Sequence, residues 1–206
     1  RQQKQATDAN TLSAKAMGDA WRVTGTVLAA LGLKATIGEL ARMADAAVNI
    51  ESRLRLVTGS SEELARVQGQ LFRVAQDARV NFQSLVGTYT QMSRATKELG
   101  IDQTTLLGIT KTISQAVTIS GGSAASAEAA LVQLSQGFAS GTLRGEELNS
   151  VLEQTPRLAQ AIAQGMGKTT GELRALGAAG ALTAEQVLYA LQKSGAAVEA
   201  EFTKMT

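Results

Sequence analysis

No cysteine and no histidine occurs among the 206 residues, and the two absences together remove a large share of protein chemistry. Without thiols there are no disulfides and no thiolate nucleophile, and without imidazole there is no histidine base and none of the usual zinc or haem ligand sets. Carboxylates, Lys, Ser, Thr and two Tyr are what remains for catalysis. Proline is nearly missing too: Pro156 stands alone against 35 alanines. Because Ala has the highest helix propensity and Pro breaks helix interiors, the chain is expected to be all-α. Aromatics make up only 3% of it, so helix faces must meet through Ala, Leu, Ile and Val in thin, closely packed layers. The longest apolar stretch, Val23 to Leu33, is about half of what a bilayer requires and is followed by Lys34 and Glu39. Polar residues follow Arg1 to Gln5, which does not resemble a signal peptide, and a start at Arg1 without Met reads as a fragment of a longer chain.

Charge is what the chain does have, nearly in balance. The net value is +2, with eight Lys/Arg against five Asp/Glu up to residue 60 and twelve against thirteen beyond it. Such a balance is ordinary solvation, and no sequence-specific nucleic-acid binding is expected from it.

Helix punctuation organises the sequence. From about Ala20 to Val57 only single glycines interrupt, which predicts one long helix or two collinear ones. Its second half places Leu40, Met43, Ala47, Ile50, Leu54 and Val57 three and four residues apart, a short heptad seam that offers self-association. An internal amphipathic face is the alternative. The expected division is a helical arm over residues 1–59 and a compact multi-helix domain of amphipathic helices over 60–206. In the latter, Ser60 with Glu63 has capping-box spacing and opens a helix to about Arg79. Asn81 caps a successor carrying Phe82, Leu85, Val86, Tyr89, Met92, Thr96 and Leu99, which Gly100 closes. Asp102 and Ser123 cap the next two, the second closed by Gly141. Four shorter helices follow, at Arg144 to Gln154, Pro156 to Gln164, Gly171 to Gly177 and Ala184 to about Phe202. Thr155 precedes Pro156 as a cap, and Thr169 with Glu172 and Thr183 with Gln186 have capping-box spacing.

Two constellations suggest chemistry and lose it on inspection. Glu146 and Glu147 are adjacent, so on a helix they point about 100° apart and cannot share one substrate as acid and base; a first helical turn explains them by its dipole. Gly165-Met166-Gly167-Lys168-Thr169 holds a Gly-Lys-Thr triplet but lacks the earlier glycine and the strand of a phosphate-binding loop. It reads as a helix stop followed by a helix start. No enzymatic activity, metal or cofactor is expected.

The stretch Gln133-Leu134-Ser135-Gln136-Gly137-Phe138-Ala139-Ser140-Gly141-Thr142-Leu143-Arg144-Gly145-Glu146-Glu147-Leu148-Asn149, followed by Pro156-Arg157-Leu158, is more specific. It resembles the tape measure domain near the amino terminus of tail tape measure proteins of long-tailed phages and prophages. There a Gly ends one helix, a Gly-x-Leu-x-Gly-Glu-Glu-Leu turn starts the next and a Pro opens the third, so Gly141, Leu143, Gly145, Glu146, Glu147, Leu148 and Pro156 are the matching positions. The Ile119-Ser120-Gly121-Gly122-Ser123 and Gly180-Ala181-Leu182-Thr183 turns fit as well, and the likeness spans about residues 40 to 202. It implies a structural role: a helical chain packed in several copies in the tail tube, whose length sets tail length during assembly. It implies as partners further copies of the chain, the tube protein, tail assembly chaperones and tail-tip proteins, with envelope contact during infection. It places the chain in the virion tail and, during assembly, in the host cytoplasm. The alternative, motivated by Val23 to Leu33 and the Ala/Gly-rich helices, is a membrane-active helical protein that perturbs the envelope.

Overall fold

The computed structural model describes residues 37–97 and 100–205, with side chains from Asp45 onward. The amino-terminal half of the expected long helix, with Val23 to Leu33, lies outside the described residues, as does Leu99. Among those described, nine helices follow one another: α1 Ile37–Arg55, α2 Ser61–Asp77, α3 Phe82–Ala95, α4 Gln103–Ile119, α5 Ala124–Ser140, α6 Gly145–Gln154, α7 Pro156–Gly165, α8 Thr170–Ala178 and α9 Ala184–Thr203. No strand occurs among them, and the molecule is all-α.

Most helix starts fall where a side chain accepts the free amides of the first turn. Asn81 accepts from Ser84, Asp102 from Thr104 and Thr105, and Ser123 from Ser126. Thr169 with Glu172 and Thr183 with Gln186 form complete capping boxes. Two starts differ from expectation. Ser60 accepts from Glu63 as a cap, but the Glu63 carboxylate reaches one residue further back, to the amide of Gly59. Thr155 makes no side-chain cap; its hydroxyl donates to the Val151 carbonyl at 2.9 Å, closing α6 instead of opening α7, and Pro156 at the first helical position starts α7 unaided. At Arg79 the backbone has a φ of +53°, which stops α2 two residues before the expected end.

The chain divides into two compact units, residues 1–47 and 48–206. Ile50 and Leu54 are buried in the core of the second unit. Within that unit α9 packs on α4 and α7, α3 on α5, and α2 on α3 and α4, while α6 joins α5, α7 and α8. A single hydrophobic cluster runs from Ile50 to Val198. It contains few rings, with Tyr89 and Phe138 the largest of its fully buried side chains.

The core also holds many hydroxyls, and helical geometry satisfies them locally. Thr90, Thr96, Thr110, Ser114 and Thr155 each donate to the carbonyl four residues earlier. A Ser or Thr bonded in this way meets its hydrogen-bonding need within its own helix, so burial costs little.

Candidate functional site

The Gly-x-Leu-x-Gly-Glu-Glu-Leu turn is where four helices are tied together. Gly141 ends α5 with a φ of +79°, the left-handed conformation a residue with Cβ resists. The chain then runs extended for three residues beside the loop that leads into α9. The Leu143 amide donates to the Leu182 carbonyl and the Ala184 amide to the Gly141 carbonyl, both at 2.9 Å, and Thr142 pairs with Thr183 in an isolated antiparallel bridge. The Ser140 hydroxyl donates to the Thr142 carbonyl at 2.8 Å and holds the corner.

Two leucines of the motif fill the spaces beneath. Leu143 is fully buried against Gly137, where a Cβ would stand 2.7 Å from its Cγ. Leu148 is fully buried against Gly177 of α8, whose added Cβ would overlap Leu148 Cδ2. The motif thus ties α5, α6, α8 and the start of α9 through two leucine-on-glycine contacts and a short main-chain ladder. At Gly145 φ is not positive, and a Cβ there would meet the Ala178 Cα at an ordinary 3.7 Å. Pro156 opens α7 with Thr155 alone between it and the end of α6.

Glu146 and Glu147 stand in the first turn of α6, Glu146 exposed and Glu147 half-buried with its Oε2 enclosed and unpartnered. Neither belongs to any of the three ion pairs seen among the described residues. In the Gly-Lys-Thr segment the amides of Met166, Gly167 and Lys168 donate to carbonyls of α7, so they close a helix and are not free to cradle a phosphate. Thr169 then starts α8.

The expected seam is split by the fold. Ile50 is 7% exposed and Leu54 0%, and Val57 packs partly buried against the same core, so these three face their own chain. Ala47 is exposed; the side chains of Leu40 and Met43 lie outside the described ones. Half of the heptad pattern is therefore an internal amphipathic face.

What the sequence did not reveal is a close approach of two helices. A Cβ on Gly165 would overlap the Ala190 carbonyl group, so α7 and α9 meet backbone to backbone there. At the other end of that helix pair the buried Arg157 donates from Nε to Glu201 at 2.6 Å, and its main-chain amide donates to Ser120 Oγ. The hydroxyl and amide of Thr105 hold Asp102 below the usual carboxylate range, and the Thr169 amide does the same for Glu172. Burial pushes the Tyr89 phenol up to about 12.

Among the described residues no helix is long and apolar enough to cross a membrane, and no cluster of acidic side chains could hold a metal ion. A family model described as tape measure protein matches residues 38–206, which takes in the motif turn and every helix from the second residue of α1 onward. No curated protein and no solved structure matches the chain.

Proposed function

The chain belongs to the tape measure protein family, a structural family of phage tails, and from that membership we propose that it sets tail length during assembly and occupies the tail tube. The carrying observation is that the family match begins at residue 38 and runs through the whole second unit, the part with a continuous core. A helical chain rises about 1.5 Å per residue, so it converts residue count into length. The second unit is folded back on itself and serves as a domain of such a ruler, not as its measuring stretch.

Its role is to assemble with other tail components. The tube protein, the tail assembly chaperones and tail-tip proteins are the proposed partners, the virion tail and the host cytoplasm during assembly its locations, with envelope contact during infection. Pairing of copies side by side is proposed for the part of the α1 seam before the core, Leu40, Met43 and Ala47. The test is genetic. Adding or removing a helical stretch in the phage protein that carries this domain, outside residues 38–206, should change tail length by about 1.5 Å per residue in electron micrographs. Tails of unchanged length would overturn the ruler reading.

A further inference from the structure

On the outer side of the α3 and α5 pair lies a groove of about 550 Å³, with the end of α1 at its edge. The two helices run in the same sense: Ser84 meets Glu128 at one level, and Thr88 meets Leu131 and Ser135 at the next. The small residues Gly87, Thr90, Ser135 and Ala139 line it, together with Gln83, Gln91 and Gln136. Val132, 42% exposed, is its one large apolar side chain.

Its charges are left open on one side of the balance. Arg53 lays its guanidinium over Gly87, where a Cβ would come within 3.6 Å of Nη1, and Arg94 lines the groove further along α3. Neither arginine belongs to the ion pairs seen among the described residues. The groove's one carboxylate, Glu128, accepts from Ser84 at 3.0 Å. From the level of Ser84 to that of Gly87 is about 5 Å along α3, and from Gly87 to Arg94 about 10 Å, at the helical rise. The order along the groove is therefore one anion, then a cation one turn on, then a cation two turns beyond.

We infer that this groove docks a polar helix of a partner protein, bearing carboxylates two turns apart to meet Arg53 and Arg94 and a cation one turn outside them to meet Glu128. The trough is about three turns of α3 long, its small side chains allow close approach of another helix, and its charged groups, spaced at the helical rise, supply the recognition and fix the register. The groove holds no aromatic side chain on which a base could stack, which sets a helix above a nucleic-acid strand as its occupant.

The probe is an alanine-based peptide of about 20 residues, long enough to hold a helix, with Lys at one position, Glu three residues on and Glu seven beyond that. A second peptide carries the same pattern in reverse order, for the opposite orientation. Titrated into the labelled 206-residue chain, one of the two should bind in the micromolar to millimolar range, weaken with added salt, and lose about threefold in affinity for each of Arg53→Gln and Arg94→Gln. A peptide with Lys and Glu exchanged should not bind. Ala139→Trp, which obstructs the groove from an exposed position, should abolish binding with the helical circular dichroism kept. The inference is overturned if neither peptide binds, if binding survives both arginine substitutions, or if a single-stranded oligonucleotide competes through the same arginines more tightly than either peptide.

Discussion

At Gly165 a single methyl group has nowhere to go, because the space it would take is the Ala190 carbonyl. Gly165→Ala is expected to force α7 off α9 and cost about 1–3 kcal/mol in urea unfolding, the usual range for overpacking. Gly171→Ala is its control: Thr169 Oγ1 at 3.9 Å is the nearest atom, so the change should be neutral or gain up to about 1 kcal/mol through the unfolded state. Equal shifts for the two would remove the steric account. Gly141 is constrained by the other mechanism, since no atom lies within 4 Å but its φ is +79°, and Gly141→Val should cost on the order of 1 kcal/mol or more. The contrast explains what could be read in advance. A left-handed cap is written in the residues around Gly141, whereas the need for Gly165 arises only when Ala190, twenty-five residues away, is folded against it. Tyr89 gives a pH test at the same scale. Its phenol is raised from 10 to about 12, so the folded chain keeps a proton that the unfolded chain releases in that interval. Its stabilising effect is complete below pH 10 and is lost as the pH rises through 12. Tyr89→Phe should retain stability at neutral pH, where the buried hydroxyl has no partner, and should lose about 1–2 kcal/mol less than the parent between pH 10 and 12 once solvent screening is allowed.

At the scale of the helix, the caps carry the punctuation that made the fold legible. Thr169→Ala should cost about 1 kcal/mol, and Asp102→Ala should lower stability in the same direction, because each leaves first-turn amides without an acceptor. Asp102 and Glu172 both lie below the usual carboxylate range in the folded state. Their contribution is therefore present above the pKa of the unfolded carboxylates and disappears as the pH falls through the lower folded values. The acid limb of the stability curve should be shallower in Asp102→Ala than in the parent; parallel limbs would show that the cap adds nothing that titrates. Caps could be read from sequence because donor and acceptor lie within three or four residues of each other. The same locality explains the two misplacements. Glu63 chooses between the amides of Ser60 and Gly59, and Thr155 between the end of α6 and the start of α7, and both choices depend on how the chain enters the turn. The motif turn was legible as a set of helix boundaries. Its pairing with Leu182 and Ala184 and the seating of Leu143 on Gly137 were not, because they join segments forty residues apart or await the packing of α5.

At the scale of the whole molecule, the question is whether the end of α1 is an arm or a wall of the core. Periodicity alone could not decide, since a heptad seam and an amphipathic face of two and a half heptads share one pattern. Of the four seam residues whose side chains are described, Ile50, Leu54 and Val57 turn to the core and Ala47 is exposed. Leu54 is completely enclosed, Ile50 nearly so, and both belong to the same cluster as Leu71, Leu107 and Leu191. A carboxylate at either position would have no partner in a dry interior, a placement that costs several kcal/mol unless the group is neutralised. Ile50→Asp with Leu54→Asp should therefore unfold the second unit or lower its midpoint steeply, and sedimentation should show that this loss does not begin with the dissociation of an oligomer. Because one cluster extends from α1 to α9, the loss should be seen by helix content and by tryptophan-independent probes of the far end, such as the exposed Tyr189, in a single transition. Ala47→Asp, at an exposed position on the same stripe, separates the two roles: it should leave the midpoint within about 0.5 kcal/mol of the parent and weaken any self-association present. If the double variant keeps its helicity and only its mass falls, Ile50 and Leu54 pair between copies, and the enclosed position of Leu54 is not the one it holds in solution.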